Sequence, residues 1–170
     1  HAGYDYGGSY CSFNGLALAV HMVLASHLVE WVAIVDCSRH HGAGTEDILR
    51  RVKMPGRVLH WSAGSPENRD IPAERFHMEA FRFVRQKLPL GRGLVLYQAG
   101  ADMHVNDPLG GRLTTEQMKL RDRRVFHAAG ERGIPVCWCP AGGYQRDASG
   151  TIKPVVDLHT QTLWASHEYP

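Results

Sequence analysis

The chain has 170 residues, of which 44% are hydrophobic and 21% are charged, values that are ordinary for a globular protein. Nineteen basic and seventeen acidic residues give a formal net charge of +2, too close to balance to indicate a nucleic-acid or membrane-surface partner. No stretch approaches the roughly 20 apolar residues of a membrane span. We therefore expect one domain over residues 1–170, long enough to bury a sizeable core.

In chain order, the apolar patterns and breaker residues predict helices that alternate with strands. The predicted order is helix 14–25, strand 31–37, helix 45–51, strand 57–61, helix 73–88, strand 93–98, helix 114–130, strand 134–139 and helix 154–166. The first helix is rich in Ala and Leu and is expected to be mostly buried, and Thr45 and Thr114 are expected to cap their helices. This alternation predicts an α/β layer fold with a mainly parallel sheet.

The four cysteines are few for the length of the chain, and three of them lie in apolar runs. Buried, reduced thiols are the ordinary expectation there, which favours a cytoplasmic location. Cys137 and Cys139 alternate on one face of a strand, and we interpret them as core residues rather than as a thiolate site.

Three predicted strands lead directly into polar, reactive side chains. The first strand leads into Asp36, Ser38 and His40, the third leads into Asp102, and the fourth leads into Tyr144. The carboxyl ends of parallel strands lie on one edge of a sheet. The sequence therefore predicts a cleft in which a carboxylate, an imidazole and a phenol meet around a metal ion.

Each of these signals also has a plainer interpretation. An Asp at a strand end is more often a turn former or helix cap, and paired histidines are usually surface residues. The turn at Gly42 and Gly44 resembles a dinucleotide-binding loop, but no third glycine follows in register. In an extended segment Asp36, Ser38 and His40 project to one side, as metal ligands do, but the middle residue is a serine.

Together the motifs resemble the histone deacetylase superfamily, which includes bacterial deacetylase-like amidohydrolases and acetylpolyamine amidohydrolases. The matching motifs lie in the family's order at residues 1–2, 8–14, 36–45, 100–102, 107–111 and 142–144. The resemblance implies an arginase/deacetylase-type sandwich with a mainly parallel central sheet flanked by helices. It also implies a zinc cofactor and an acetylated amine or acetyl-lysine amide as the substrate.

By position, the resemblance assigns His40 and Asp102 as zinc ligands and Tyr144 as the phenol that stabilises the developing oxyanion. His1 matches the second histidine of a tandem pair and is implied to be the general base and acid. Because its partner would precede residue 1, we expect an N-terminally incomplete deacetylase-like domain.

The resemblance also implies a substrate channel and a second cation site. Ser9 and Tyr10 match the channel wall, Leu109 matches the opposite lip, and Gly143 joins them in substrate binding. Asp36 resembles a ligand of a structural monovalent-cation site, for which potassium is the implied ion.

Two positions depart from the family pattern. Ser38 stands where the family has its third zinc ligand, an aspartate, and Ala43 replaces a common carboxylate or amide. A neutral hydroxyl is a poor zinc donor, so a weakened zinc site is expected. His41 and His104 are alternative ligands by sequence proximity, or else packing residues.

The sequence therefore predicts zinc-dependent hydrolysis of an acetyl-amine or acetyl-lysine amide, with an activity that Ser38 places in doubt. The alternative from another class is a catalytically inactive relative that binds acylated ligands or a protein partner. A third possibility is an incomplete gene product with no function of its own. The natural substrate and the oligomeric state are left open.

Overall fold

A four-stranded parallel sheet forms the centre of the molecule, which the computed structural model describes for residues 1–169. The strands are β1 (Trp31–Asp36), β2 (Arg57–Ser62), β3 (Gly93–Gly100) and β4 (Val136–Ala141), in the order β2-β1-β3-β4. All three pairings are parallel, as the alternation of elements predicts. The α/β class with a mainly parallel sheet is therefore confirmed.

Helices cover both faces of the sheet. They are α1 (Gly15–Ala25), α2 (Ala43–Arg51), α3 (Ala73–Arg82), α4 (Thr115–Gly130) and α5 (Lys153–Glu168). Successive side chains of a strand point to opposite faces, and β1 uses both: Ala33 joins the core under α3, α4 and α5, and Ile34 joins the core under α1. All six residues of β1 are buried, as its almost continuous apolar sequence requires.

Two predictions about helices are wrong. The first helix is not mostly buried, because only one face, Ala17, Val20 and Leu24, is covered. Thr45 is not a cap: α2 begins two residues earlier, with Gly42 at the N-cap position, and the Thr45 hydroxyl accepts a hydrogen bond from Asn14 Nδ2 at 3.0 Å. Thr114, by contrast, forms the capping box that opens α4.

The predicted helix 73–88 changes geometry within its length. The α-helix ends at Arg82 and continues as a π-helical turn, Phe83–Lys87. The Arg132 guanidinium donates to four carbonyls of this region, those of Val84, Arg85, Leu88 and Pro89. These bonds satisfy carbonyls that the end of the helix leaves without backbone donors.

The prediction that Cys137 belongs to the core is also wrong, because its side chain is exposed and that of Cys139 is only half-buried. Both lie on β4, an edge strand. Val136 and Trp138, on the opposite face of that strand, pack against the core instead. Among residues 1–169, no helix is long and apolar enough to cross a membrane.

A buried ion pair lies beneath the carboxyl ends of β1 and β3. Arg121 Nε donates to Asp122 Oδ1 at 2.7 Å, and both side chains are almost fully buried. Arg121 Nη1 also donates to the carbonyls of Gly100 at 2.8 Å and Cys37 at 3.3 Å. Asp122 accepts further bonds from Tyr97 and Thr162. One guanidinium therefore links the ends of the two central strands.

We expect Asp122→Ala to lower the free energy of unfolding by about 3–5 kcal/mol, because it leaves the Arg121 charge buried without a partner. Glu168→Ala is the matched control. It breaks the exposed ion pair between Glu168 of α5 and Arg123, the neighbour of Asp122 on α4, and should change stability little. Urea unfolding of the three proteins measures both effects. Equal losses from the two variants would contradict the role given to the buried pair.

Candidate active site

The ends of β1, β3 and β4 open on a cleft of about 470 Å³. Most of the predicted site residues line it: His1, Ser9, Tyr10, Asp36, Ser38, Asp102 and Tyr144. His40 contacts two of them, since its ring lies beside His1 and its Nδ1 beside Asp102. The structure therefore brings the imidazoles, the carboxylate and the phenol to one edge of the sheet.

The N-terminal loop delivers His1 to the cleft by packing on the first turn of α2. A Cβ at Gly44 would lie 2.3 Å from the Ala2 carbonyl oxygen and 2.4 Å from that of His1, so only glycine permits this approach. Asn14 Nδ2 donates to the same Ala2 carbonyl at 3.0 Å. The His1 ring then stands edge-on to His40, with the ring centroids 5.8 Å apart.

Ser9 and Tyr10 form the tip of a tight turn at the mouth of the cleft. Gly8 and Cys11 exchange two backbone hydrogen bonds across it, at 3.0 and 2.8 Å. Both residues at the tip have left-handed backbones, with φ of 45° for Ser9 and 69° for Tyr10, which is costly for residues other than glycine. The Tyr10 side chain is fully exposed and lines the cleft at its mouth, and its contact with substrate stays a prediction.

His40 and Asp102 form a pair at the floor of the cleft. His40 Nδ1 lies 3.1 Å from Asp102 Oδ2, and the backbone N–H of Arg39 donates to Asp102 Oδ1 at 3.1 Å. Burial raises the pKa of Asp102, and the bonds from Arg39 and His40 oppose this shift. The pair combines a half-exposed imidazole with a buried carboxylate.

The Ser38 side chain forms its shortest hydrogen bond with Asp36. Asp36 Oδ1 accepts the Ser38 hydroxyl at 2.6 Å, the Ser38 N–H at 3.0 Å and Gln98 Nε2 at 3.0 Å. Burial raises the pKa of Asp36, and the bonds from Ser38 oppose the rise. Asp36 is thus the nearer acceptor of the Ser38 hydroxyl, and the His40 carbonyl, at 3.3 Å, is the other.

Tyr144 reaches the cleft from the loop that follows β4. Its N–H donates to Asp107 Oδ2 at 2.8 Å, and its side chain is about half-exposed. Burial raises the pKa of the phenol, and the negative charges of Asp102 and Asp107 raise it further. The phenol therefore keeps its proton at neutral pH and can donate a hydrogen bond.

Leu109 and Gly143 lie outside the lining of the cleft. The Leu109 side chain is exposed, and its carbonyl accepts a bond from Arg39 Nε at 2.8 Å. Gly143 lies against Val155, which a Cβ at this glycine would approach to 2.6 Å. Substrate contacts by these two residues stay predictions.

The two alternative metal ligands are engaged elsewhere. His104 Nδ1 accepts the Asn106 N–H at 3.2 Å, and its Nε2 lies 3.0 Å from the Thr115 hydroxyl. His41 Nε2 lies 2.8 Å from Glu46 Oε1, at the distance of an ion pair but without the alignment of a hydrogen bond. Within residues 1–169, no group of three or more His, Cys, Asp and Glu side chains is arranged to hold a metal ion.

Two donor atoms of the cleft nevertheless fit two of the coordination positions of one divalent metal ion. Two ligands of a tetrahedral zinc ion lie about 3.3 Å apart, and His40 Nδ1 and Asp102 Oδ2 are 3.1 Å apart. The third position belongs to Ser38, a neutral donor that faces Asp36. The site therefore offers one imidazole and one carboxylate where a catalytic zinc usually has three protein ligands.

Two further residues of the site, Gln98 and Asp107, are not among those predicted from the sequence. Gln98 follows the same rule as the predicted residues, because it lies near the carboxyl end of β3 and lines the cleft. Asp107 belongs to the motif at residues 107–111, but nothing near it in the sequence indicates its contact with Tyr144. It acts through a hydrogen bond to Tyr144, 37 residues along the chain.

The chain is similar in sequence to histone deacetylases and acetylpolyamine amidohydrolases. Residues 1–65 match the family model of the histone deacetylase domain. Histone deacetylase 2 of Arabidopsis thaliana is 26% identical, over 92% of this chain and 45% of that protein. Acetylpolyamine amidohydrolase 2 of Pseudomonas aeruginosa is 48% identical over a shorter segment, 29% of this chain and 14% of that protein.

A solved structure of a histone deacetylase homologue from Aquifex aeolicus has a similar fold, with a TM-score of 0.68 and 14% identity over 98% of this chain and 50% of that chain. This likeness confirms the arginase/deacetylase type of fold. The chain spans about half the length of the curated relatives it matches.

We expect Gly44→Ala to displace the His1 segment, because the added Cβ collides with the backbone of residues 1 and 2. Nuclear Overhauser contacts between the His1 and His40 rings should disappear. Gly15→Ala is the control: it too lies in the first turn of a helix, and its Cβ would meet no atom within 4 Å. Retention of the ring contacts in Gly44→Ala would contradict the packing described.

Proposed function

We propose, because the chain belongs to the histone deacetylase superfamily, that its cleft hydrolyses the amide of an acetylated amine or acetyl-lysine, with zinc held by His40 and Asp102. The observation that carries the proposal is the convergence of His40 Nδ1 and Asp102 Oδ2 at 3.1 Å, beside His1 and on the floor of the cleft.

A zinc ion held by His40 and Asp102 would polarise the acetyl carbonyl and lower the pKa of a water molecule. His1 would accept a proton from the attacking water as that water adds to the carbonyl carbon, and would then donate the proton to the leaving amine nitrogen as the C–N bond breaks. The Tyr144 phenol donates a hydrogen bond to the carbonyl oxygen as negative charge develops on it. The products are acetate and the free amine.

Asp102 has two tasks in this scheme. Its Oδ2 faces His40 and the metal position, and its Oδ1 accepts the Arg39 N–H, which holds the carboxylate in place. A hydrogen bond behind a ligand in this way orients it for the metal. We expect zinc to be bound weakly all the same, because Ser38 supplies no negative charge.

A second candidate function is binding of acylated ligands, or of a protein partner, without catalysis. The observation that favours it is that the third position holds a neutral hydroxyl, Ser38, which donates to Asp36 and supplies no negative charge. For either function we propose that residues 1–170 form one domain and that the protein is cytoplasmic. We also propose that a structural potassium ion binds beside Asp36. Acetate release by the zinc-loaded protein separates the two functions.

The first test is acetate release. We expect protein loaded with zinc to release acetate from an acetyl-lysine peptide or an acetylated polyamine, and His40→Ala to abolish both release and zinc binding. His21→Ala, on the exposed face of α1, is the control and should retain both. Zinc binding at one ion per chain without any acetate release would favour the binding function instead.

The second test restores the third ligand. We expect Ser38→Asp to raise the affinity for zinc at least about tenfold, since it adds an anionic donor next to the pair. Competition with a chelating dye measures the affinity. Ser26→Asp adds the same charge at an exposed position at the end of α1 and should leave affinity unchanged. Unchanged affinity in Ser38→Asp would mean that Ser38 does not adjoin the metal position.

A further inference from the structure

The loop that carries Tyr144 has little support from regular structure. Residues 142–147 follow β4 with no helix or strand assigned. Two glycines with left-handed backbones, Gly142 at φ 56° and Gly143 at φ 102°, stand directly before Tyr144. A segment with such freedom needs a specific contact to hold a side chain over the cleft. The N–H of Tyr144 makes that contact with a side chain, Asp107.

Asp107 itself sits on a hydrogen-bonded turn and is 4% exposed. Its N–H donates to the His104 carbonyl at 2.9 Å, and its own carbonyl accepts the Gly110 N–H at 2.9 Å. Pro108 follows and restricts the backbone further. The turn is therefore a rigid base from which the carboxylate can position other groups.

The two oxygens of Asp107 serve two different loops. Oδ1 accepts the N–H of Leu109 at 3.0 Å, and Oδ2 accepts the N–H of Tyr144 at 2.8 Å. Hydrogen bonds to an ionised acceptor are about twice as strong as neutral ones, so one buried carboxylate can hold both segments in register. The predicted channel lip and the predicted oxyanion donor are thereby tied together.

We propose that Asp107 is a positioning residue that fixes the Tyr144 loop to the Leu109 turn and so aligns the phenol over the cleft. The catalytic consequence rests on the proposed function, because it assumes that Tyr144 stabilises the oxyanion. The structural part stands on the two hydrogen bonds alone. The side chain of Asp107 accepts hydrogen bonds from the backbones of Tyr144 and Leu109, and neither bond involves His40 or Asp102.

The test variant is Asp107→Asn, which keeps the size of the side chain but has only one oxygen for the two N–H groups. By hydrogen exchange followed by NMR, we expect the Tyr144 amide to exchange at least about tenfold faster, while the amides of β1 keep their protection. In acetate release, kcat should fall at least about tenfold, whereas KM and zinc affinity stay within about twofold.

A double-mutant cycle then asks whether the effect passes through the phenol. We expect Asp107→Asn to cause no further loss of kcat in a Tyr144→Phe background, because the hydroxyl that it aligns is already absent. Asp107→Glu retains both oxygens and should restore part of the kcat and part of the Tyr144 protection. It also serves as the second variant if Asp107→Asn does not fold.

Asp147→Asn is the matched control. Asp147 lies three residues beyond Tyr144 and accepts the N–H groups of Ser149 and Thr151 at 3.0 and 2.9 Å, within its own turn. Removing its charge should leave the Tyr144 exchange rate and kcat unchanged. If Asp147→Asn changed the exchange rate and kcat as Asp107→Asn does, any disturbance of the loop after β4 would have the same effect. That result would overturn the specific role of Asp107.

Unchanged exchange at Tyr144 in Asp107→Asn would also overturn the proposal, and so would additive losses of kcat in the double variant. If the wild-type protein releases no acetate, the proposed function fails on its own. The exchange comparison still decides whether Asp107 holds the loop, so the two failures are distinguishable.

Discussion

The pairing of β1 with β3 is the constraint on which the site depends. Its register sets Asp36 beside Gln98, so the residues that follow the two strands leave the sheet side by side. The Arg121 guanidinium reinforces this arrangement by bonding the carbonyls of Cys37 and Gly100, one residue before Ser38 and two before Asp102. This alignment of the two strand ends brings His40 next to Asp102.

The cleft differs in chemical composition from a zinc site with three protein ligands at one position. Ser38 keeps the place of a ligand but directs its hydroxyl to Asp36, so the floor of the cleft holds less negative charge next to His40. Substrate binding depends mainly on the shape of the cleft and on donors such as Tyr144, whereas turnover depends on the metal. Under the proposed function, the neutral Ser38 is therefore expected to weaken turnover more than substrate binding.

The fold was largely predictable because its signals are local. The apolar run of β1 and the capping box at Thr114 each specify their element within a few residues. Cys137 was misassigned because an alternation pattern does not reveal that its strand lies at the edge of the sheet. His40, Asp102 and Tyr144 were found through strand ends and family resemblance. Asp107, like the buried Arg121, acts across long sequence separations that no local pattern encodes.

Anomalous diffraction from crystals soaked in zinc would test the metal position most directly. We predict a single strong peak about 2.0–2.2 Å from both His40 Nδ1 and Asp102 Oδ2, with solvent completing the coordination shell. Absence of a peak there at saturating zinc, with His40 still hydrogen-bonded to Asp102, would contradict the proposal that this cleft is a metal-dependent hydrolase site.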